Sequence, residues 1–493
     1  MPFRTLREHL AKAMLAVGLP VGAAVSAQPI RLHPENPRYF EWRGRPLVLV
    51  TSAEHYGAVL NRAFDFERYL AALQRDGMNY TRVFTGAYVE PQGAFGIERN
   101  TLAPAAGDYL SPWVQVRPMP DAPPVHDLEN ISGEYLDRMK AFLASAARRG
   151  VVVEITFFSS TYGEAQWQVH PFNPRNNLQR IDVPEWKRLH TTEAPEQLQL
   201  LQEKLVRTLV RELRGFDNVF FEIQNEPWSD NPIVVETLNP LLANANVYPN
   251  VVEIPAPISV AWQRRMAAAI ADEQREREHP HMVAQNVSNF RLPVRDDDLV
   301  PGVSIVNFHY AHPEAASWNR GLPLAFGYDE SGFSGREDTP YRVGAWRFVM
   351  AGGALFNNLD YSFSVGHEDG DDTTNVAPGG GGPELRRQLG VLSRFIHSFD
   401  LATLGPMDDV VVRAPGVVPL VLGTQGHQYA VHLLGRGPTN LELRLPAGTY
   451  RAEWLDPRSG EAGPVETIRV DRQTTSLRSP EFASEAALRL IVE

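Results

Sequence analysis

Short apolar runs alternate along most of the chain with segments whose apolar positions recur at helical spacing. The runs cover residues 46–52, 80–85, 151–158, 219–224, 282–287, 303–308, 322–326 and 354–359, and read as eight strands. Amphipathic segments at 66–75, 134–149, 195–214, 259–277, 342–350 and 384–398 read as helices between them. Strands that alternate with helices predict an α/β fold with a parallel sheet, and eight of them predict a (β/α)8 TIM barrel. The connections after the fifth and sixth runs are too short for full helices.

The loops are asymmetric. Connections from a helix to the next strand are tight turns, such as Asp76-Gly77-Met78-Asn79 and Arg149-Gly150, whereas those from a strand to the next helix are long, notably 86–133, 159–193 and 227–256. A barrel gathers all of the long ones on its C-terminal face, where barrel enzymes keep their active sites. Beyond residue 403 the pattern changes to short β runs at 409–414, 418–422, 428–434, 440–445, 448–455 and 466–470. These predict a small all-β sandwich domain over 403–493, after a barrel over 28–402.

The first residues place Arg4, Arg7 and Lys12 before an apolar stretch at 13–25 and a small-residue Val25-Ser26-Ala27 ending. That is the pattern of a signal peptide cut after Ala27, and it predicts a secreted or periplasmic protein. The stretch falls short of the ~20 residues a membrane span needs. The formal charge is −12, and losing residues 1–27 makes the remainder more acidic by two charges, which disfavours nucleic acid and anionic membranes as partners. With no cysteine, disulfides, thiolate metal sites and cysteine nucleophiles are excluded. With 43% hydrophobic residues among 493, the chain can fill a core without such staples.

The stretch VFFEIQNEPW, 219–228, puts Glu222 inside the fourth apolar run and ends it in Asn225, Glu226 and Pro227. Charge in a buried strand costs stability unless it is paired or used. Glu222 reads as a structural, inward residue in line with Glu226. The seventh run, in LPLAFGYDESGF, carries Asp329 and Glu330. Two carboxyl groups facing each other across a barrel mouth suit glycosidic bond cleavage, in which one donates a proton to the leaving oxygen and the other attacks the sugar carbon. Glu330 is the preferred second group, with Asp329, one residue earlier, expected to point elsewhere.

The NEP triplet after the fourth run and the glutamate after the seventh resemble the clan A glycoside hydrolases, retaining barrel enzymes that include the family 5 cellulases. The resemblance covers roughly residues 31–399. It implies Glu226 as acid/base and Glu330 as nucleophile, with Arg82 supporting the nucleophile, Asn225 binding a sugar 2-hydroxyl, and His309 and Tyr310 touching the nucleophile. The eighth run, ALFNNLDYSF, lacks the tryptophan usual there, so Tyr361 or Phe363 is expected to floor the subsite. The opening HPENPRYFEWRGRPLVLV and the W-x-D-P-x-x-G pattern in AEWLDPRSGE are also similar to apiosidase-like barrels with their C-terminal β domain.

Glu54 and His55, after the first run, are further candidates for sugar binding, and Trp228 is the loop aromatic placed to stack on a sugar ring. HEDGDD at 367–372 has the composition of a calcium loop but no ligand spacing, and reads as a solvated loop. No cofactor or metal is expected. The implied partner is an oligo- or polysaccharide of plant or microbial origin. A carbohydrate-binding barrel without chemistry, and a transglycosylase using the same residues, are the alternatives. The residues leave open the sugar, the linkage, endo or exo action and the oligomeric state.

Overall fold

The computed structural model describes residues 28–116, 124–472 and 474–493, so the expected leader lies outside the described residues. Its centre is eight parallel strands: β1 (Leu49–Ala53), β2 (Tyr80–Phe84), β3 (Val152–Ser159), β4 (Val219–Asn225), β5 (Val283–Asn289), β6 (Ile305–His309), β7 (Ala325–Ser331) and β8 (Leu355–Leu359). The hydrogen-bonded order runs β1-β8-β7-β6-β5-β4-β3-β2, a barrel whose seam falls between β1 and β2. Asn79 bridges that seam. Its Oδ1 accepts the Val50 N–H at 2.8 Å and its Nδ2 donates to the Val48 carbonyl at 2.9 Å. Its own N–H reaches the Val50 carbonyl at 3.4 Å.

Helices α1 (Phe66–Arg75), α2 (Gly133–Arg148), α3 (Glu196–Leu213), α4 (Pro257–Glu273), α5 (Asp338–Met350) and α6 (Pro383–Ile396) surround the strands. Asp65 starts α1 by accepting the N–H groups of Glu67 and Arg68, and Ser132 starts α2 by accepting that of Tyr135. After β5 and β6 only short turns of helix stand, Asp296–Asp298 and Glu314–Ser317, as the short connections require.

Two strand expectations are corrected. The run at 46–52 splits, because Arg45–Leu47 pairs antiparallel with Phe40–Trp42 and only Leu49–Ala53 enters the barrel. The run at 322–326 shifts, since Leu322 and Leu324 pack from a loop against an apolar cluster and β7 begins at Ala325.

Residues from 405 onward form a six-stranded and a three-stranded antiparallel sheet around Val431, Leu443, Tyr450 and Leu488. Three of these strands, Gly405–Pro406, Thr474–Arg478 and Glu485–Val492, escape the sequence pattern. EAALRLIV is rich in good helix formers, yet it pairs on both sides, with Gln428–Gly435 and Gly448–Leu455, and tertiary pairing overrides propensity. The β domain is joined to α5 through Glu485, which takes hydrogen bonds from Arg342 and His432.

The inside of the barrel is polar where most such barrels carry branched apolar side chains. Arg82, Glu154, Glu222 and Asn307 meet there with no exposure. Asn307 donates to Glu154 at 2.8 Å and Glu222 at 3.0 Å. Only a glycine fits beside it at 327, where a Cβ would lie 2.2 Å from Asn307 Oδ1.

Asn79→Ala removes both side-chain bonds at the seam and leaves the Val50 N–H without its side-chain acceptor. We predict a loss of about 2–4 kcal/mol, read as a lower urea midpoint, whereas Asn79→Asp, which keeps an acceptor for that N–H, loses less.

Candidate active site

The strand ends at the C-terminal face bring the predicted carboxyl groups together. Glu226 follows β4 directly and adopts φ 45°, a left-handed conformation that turns its side chain over the mouth. Its backbone N–H is held by Asn286 Oδ1 at 3.0 Å. Glu330 lies in β7, where a bulge pairs Phe308 with Tyr328 but His309 with Glu330. The bulge leaves Asp329 as the extra residue, and both carboxylates turn inward. Asp329 therefore does not point elsewhere: it is fully buried, 3.3 Å from Arg82 Nη2 and 3.6 Å from His309 Nε2.

His309 stands between the two candidate catalytic groups. Its Nδ1 is 2.9 Å from Glu226 Oε1 and 3.6 Å from Glu330 Oε1. One oxygen of each glutamate and a ring nitrogen of His309 all lie within 4.8 Å of one another. Glu226 also accepts from Ser229 Oγ at 3.3 Å. Glu330 accepts from the Tyr310 hydroxyl at 2.9 Å and the Tyr56 hydroxyl at 3.2 Å, with Arg82 Nη1 at 3.6 Å.

Beneath them Arg82 has no exposure. Its Nη2 donates to Glu222 and, at 2.9 Å, to Asn225 Oδ1, while its Nε reaches Thr156 Oγ1 at 3.1 Å. The Tyr56 ring covers the guanidinium at 4.8 Å. Asn225 lines the pocket, with its amide already spent on Arg82 and on Tyr162, whose hydroxyl is 2.7 Å away.

Burial alone would strip His309 of its proton, but the charges of Glu330 and Asp329 and the bond to Glu226 hold its pKa well above 6.5. It stands as an imidazolium. Burial acts to raise Glu226, yet its bond to that imidazolium and the positive charge hold it below the usual carboxyl value. Glu330 is pushed up by burial and by the charge of Glu226, against the pull of His309 and Arg82. This is the reverse of what the sequence assignment expects. In the substrate-free site the proton meant for Glu226 rests on His309, and Glu330 keeps its own to a higher pH than a free carboxyl. Deeper in, burial raises Glu222 to about 7 despite Arg82, and lifts Glu154 well above its ordinary range.

Among the described residues, two groups have the spacing of cation ligands. In one, Glu226, His309 and Glu330, the imidazolium already occupies the centre. In the other, Glu154, Glu222 and Asp329, the guanidinium of Arg82 fills that place. The residues fit a proton and an arginine better than a metal ion.

Other expected binding residues fall elsewhere. Glu54 has no exposure and accepts from the N–H groups of Gly57 and Ala58 and from Thr101 Oγ1, so it braces a loop and does not meet substrate. Trp228 is buried with its ring against His309, centroids 5.5 Å apart, behind the pocket wall. Tyr361 stacks on His55 at 5.5 Å but does not line the pocket, and Phe363 is buried against Tyr69 and Arg386. His55 and Tyr310 do line it. The 367–372 loop is pinned by ion pairs, Glu368 and Asp369 with Arg68, Asp372 with Arg99 and Asp371 with His367. Tyr88, Glu90, Tyr162 and Phe333 also line it. They sit on irregular loops, where no periodicity marks a residue as inward, and sequence reasoning passed over them. A larger groove of about 780 Å³ against Trp454 and Phe482 has as its buried carboxylate Glu485, already held by Arg342 and His432.

No family model and no curated protein matches the chain. Solved structures do. A structure described as a glycoside hydrolase superposes with a TM-score of 0.61 at 12% identity, covering 95% of this chain and 97% of the other. A glycoside hydrolase family 5 protein from Bacteroides vulgatus superposes with a TM-score of 0.59 at 13% identity, covering 94% and 93%. At such identities the likeness establishes the architecture, barrel and β domain together.

Replacing Arg82 by methionine strands Glu222 and Asp329 without a cation. We predict a stability loss of about 3–5 kcal/mol near neutral pH. Without Arg82 the folded-state pKa of Asp329 rises above its unfolded value and that of Glu222, already raised, rises further, so the deficit is smallest near pH 4 and grows as pH rises. Urea unfolding of both proteins across pH 4–8 checks this, and a deficit independent of pH contradicts it.

Proposed function

We propose that the chain is an exported, retaining glycoside hydrolase that cleaves an oligo- or polysaccharide by double displacement. The observation that carries this reading is that one carboxyl oxygen of Glu226 and one of Glu330 lie within 4.8 Å of each other across the barrel mouth, with His309 between them. Retaining enzymes hold their two carboxyl groups about 5–5.5 Å apart, while inverting ones need about 6.5–9.5 Å to seat a water between.

In the first step a Glu330 oxygen bonds to the anomeric carbon as the bond to the leaving oxygen breaks. The leaving oxygen takes a proton from Glu226. That proton comes from the hydrogen-bonded His309–Glu226 pair, which holds one proton in common and delivers it through the carboxyl that faces the substrate. In the second step water attacks the anomeric carbon, gives its proton to the Glu226–His309 pair and releases Glu330. Tyr310, Tyr56 and Arg82 supply the donors that steady Glu330 whenever it is charged.

The electrostatics set the pH dependence. Glu330 must be ionised to attack, and its pKa is raised, so the acid limb of kcat/KM lies above 4.5. Donation requires the proton on the His309–Glu226 pair, so the alkaline limb lies well above 6.5.

On a panel of aryl glycosides, Glu226→Gln and Glu330→Gln should each lower kcat/KM by about 10³-fold or more. The first product, observed by proton NMR, should keep the substrate's anomeric configuration. His309→Asn should move the alkaline limb down to lower pH. Equal rates in wild type and both glutamine variants, or an inverted first product, contradict the reading.

A further inference from the structure

The pocket that holds Glu226 and Glu330 is narrow, with a volume of about 50 Å³. That is room for about four waters at the 10–15 Å³ each requires, against the several hundred Å³ of a cleft that takes a large ligand. Its lining includes His55 and Glu90, from the loops after β1 and β2.

Neither residue is used by the chemistry above, and both carry unspent polar capacity. Glu90 is 6% exposed, with one oxygen accepting the Tyr88 hydroxyl at 3.1 Å and the other accepting the Asn100 amide. Each oxygen keeps a further lone-pair site. His55 is 8% exposed, and neither of its ring nitrogens has a hydrogen-bond partner. Its Nε2 is 3.8 Å from Glu90 Oε2, too far for a direct bond. A buried imidazole without partners is costly unless something arrives to bond it.

The wall behind them is tied to the fold. Glu54 joins the two loops through Thr101, and Gly57 lies so close to Thr101 that a Cβ there would be 2.3 Å from its carbonyl. Tyr109 bonds the Gly86 carbonyl at 2.6 Å, and Arg99 pairs with Asp372 on the loop after β8. Opening that wall to pass a polymer would break several of these bonds.

We propose that His55 and Glu90 form a closed, hydroxyl-reading end of the glycone site, and that the enzyme is exo-acting, removing one terminal sugar from the non-reducing end. This rests on the glycoside hydrolase reading. Glu90 accepts from one hydroxyl of the terminal residue and the His55 ring bonds a neighbouring one. A terminal sugar presents such a pair of adjacent hydroxyls, whereas a chain continuing past that residue meets the buried Leu102.

The experiment has two arms. Wild type is given reducing-end-labelled cellopentaose, mannopentaose and xylopentaose with product chromatography, and wild type, Glu90→Gln, His55→Ala and Glu226→Gln are assayed on 4-nitrophenyl β-glycosides. The expected result is stepwise release of monosaccharide from the unlabelled end. Glu90→Gln and His55→Ala should lose about tenfold to a hundredfold in kcat/KM, chiefly through KM, with both pH limbs in place. Internal fragments in the earliest products, or both variants folded by thermal melting with wild-type kcat/KM, overturn the proposal while leaving the hydrolase reading intact. If a variant fails to fold, the wild-type product pattern decides. Activity that Glu226→Gln does not reduce overturns the underlying reading, and this one with it.

Discussion

One buried guanidinium organises the barrel. Arg82 has no exposure, and around it stand Glu222, Asp329, Glu330 and, at 4.0 Å, Glu154. A charge in such a place is tolerated only where opposite charges and hydrogen bonds replace its lost water. The carboxylates are equally dependent on it. Because Arg82 also holds Asn225, the last residue of β4, it fixes the chain one residue before Glu226. The ion network in the barrel and the geometry at its mouth are therefore one structure, and the polar interior is the foundation of the site.

The same accounting decides where protons sit. Arg82 and His309 supply two positive charges, while Glu154, Glu222, Glu226, Asp329 and Glu330 offer five carboxyl groups in contact with them or with each other. Asp329 and Glu226 have the cations close enough to hold them below their ordinary values against burial. Glu154, Glu222 and Glu330 are raised by burial and by their neighbours. Two cations thus support two anions and leave the rest protonated near the acid side of neutrality. With Glu330 ionised for attack the site carries one net negative charge, and passing the proton to the leaving oxygen as Glu330 is esterified leaves that charge unchanged.

Much of this was legible in the sequence because it follows from pattern. Apolar runs alternating with helical segments mark barrel strands, loop lengths mark the working face, and carboxylates ending the fourth and seventh runs mark the mouth. What escaped depends on geometry that pattern does not encode. A bulge at Asp329 turns two successive carboxylates inward, and nothing in the letters DE announces it. Trp228 and Glu54 have the right residue types near the right strand ends, but one backs His309 and the other caps a loop. Glu90 was passed over because its position is set by a long loop folding back on Asn100. The reversed protonation of Glu226 and Glu330 follows from the placement of His309 between them, a distance and not a motif.

The strand ends carry the precision of the site. Glu226, Phe290 and Tyr310 each take up a left-handed backbone in the residue immediately after β4, β5 and β6, and Tyr56 does so just beyond β1. For a residue with a Cβ this costs about 1–2 kcal/mol apiece, and the ladder below must outweigh it. The ladder can, because each of these strands is hydrogen-bonded to at least one neighbour and fully buried. The candidate catalytic groups are thus aimed by strained turns anchored in the barrel, while the loops above them are free to differ. That division explains how a chain can share its architecture with a structure only 12% identical to it.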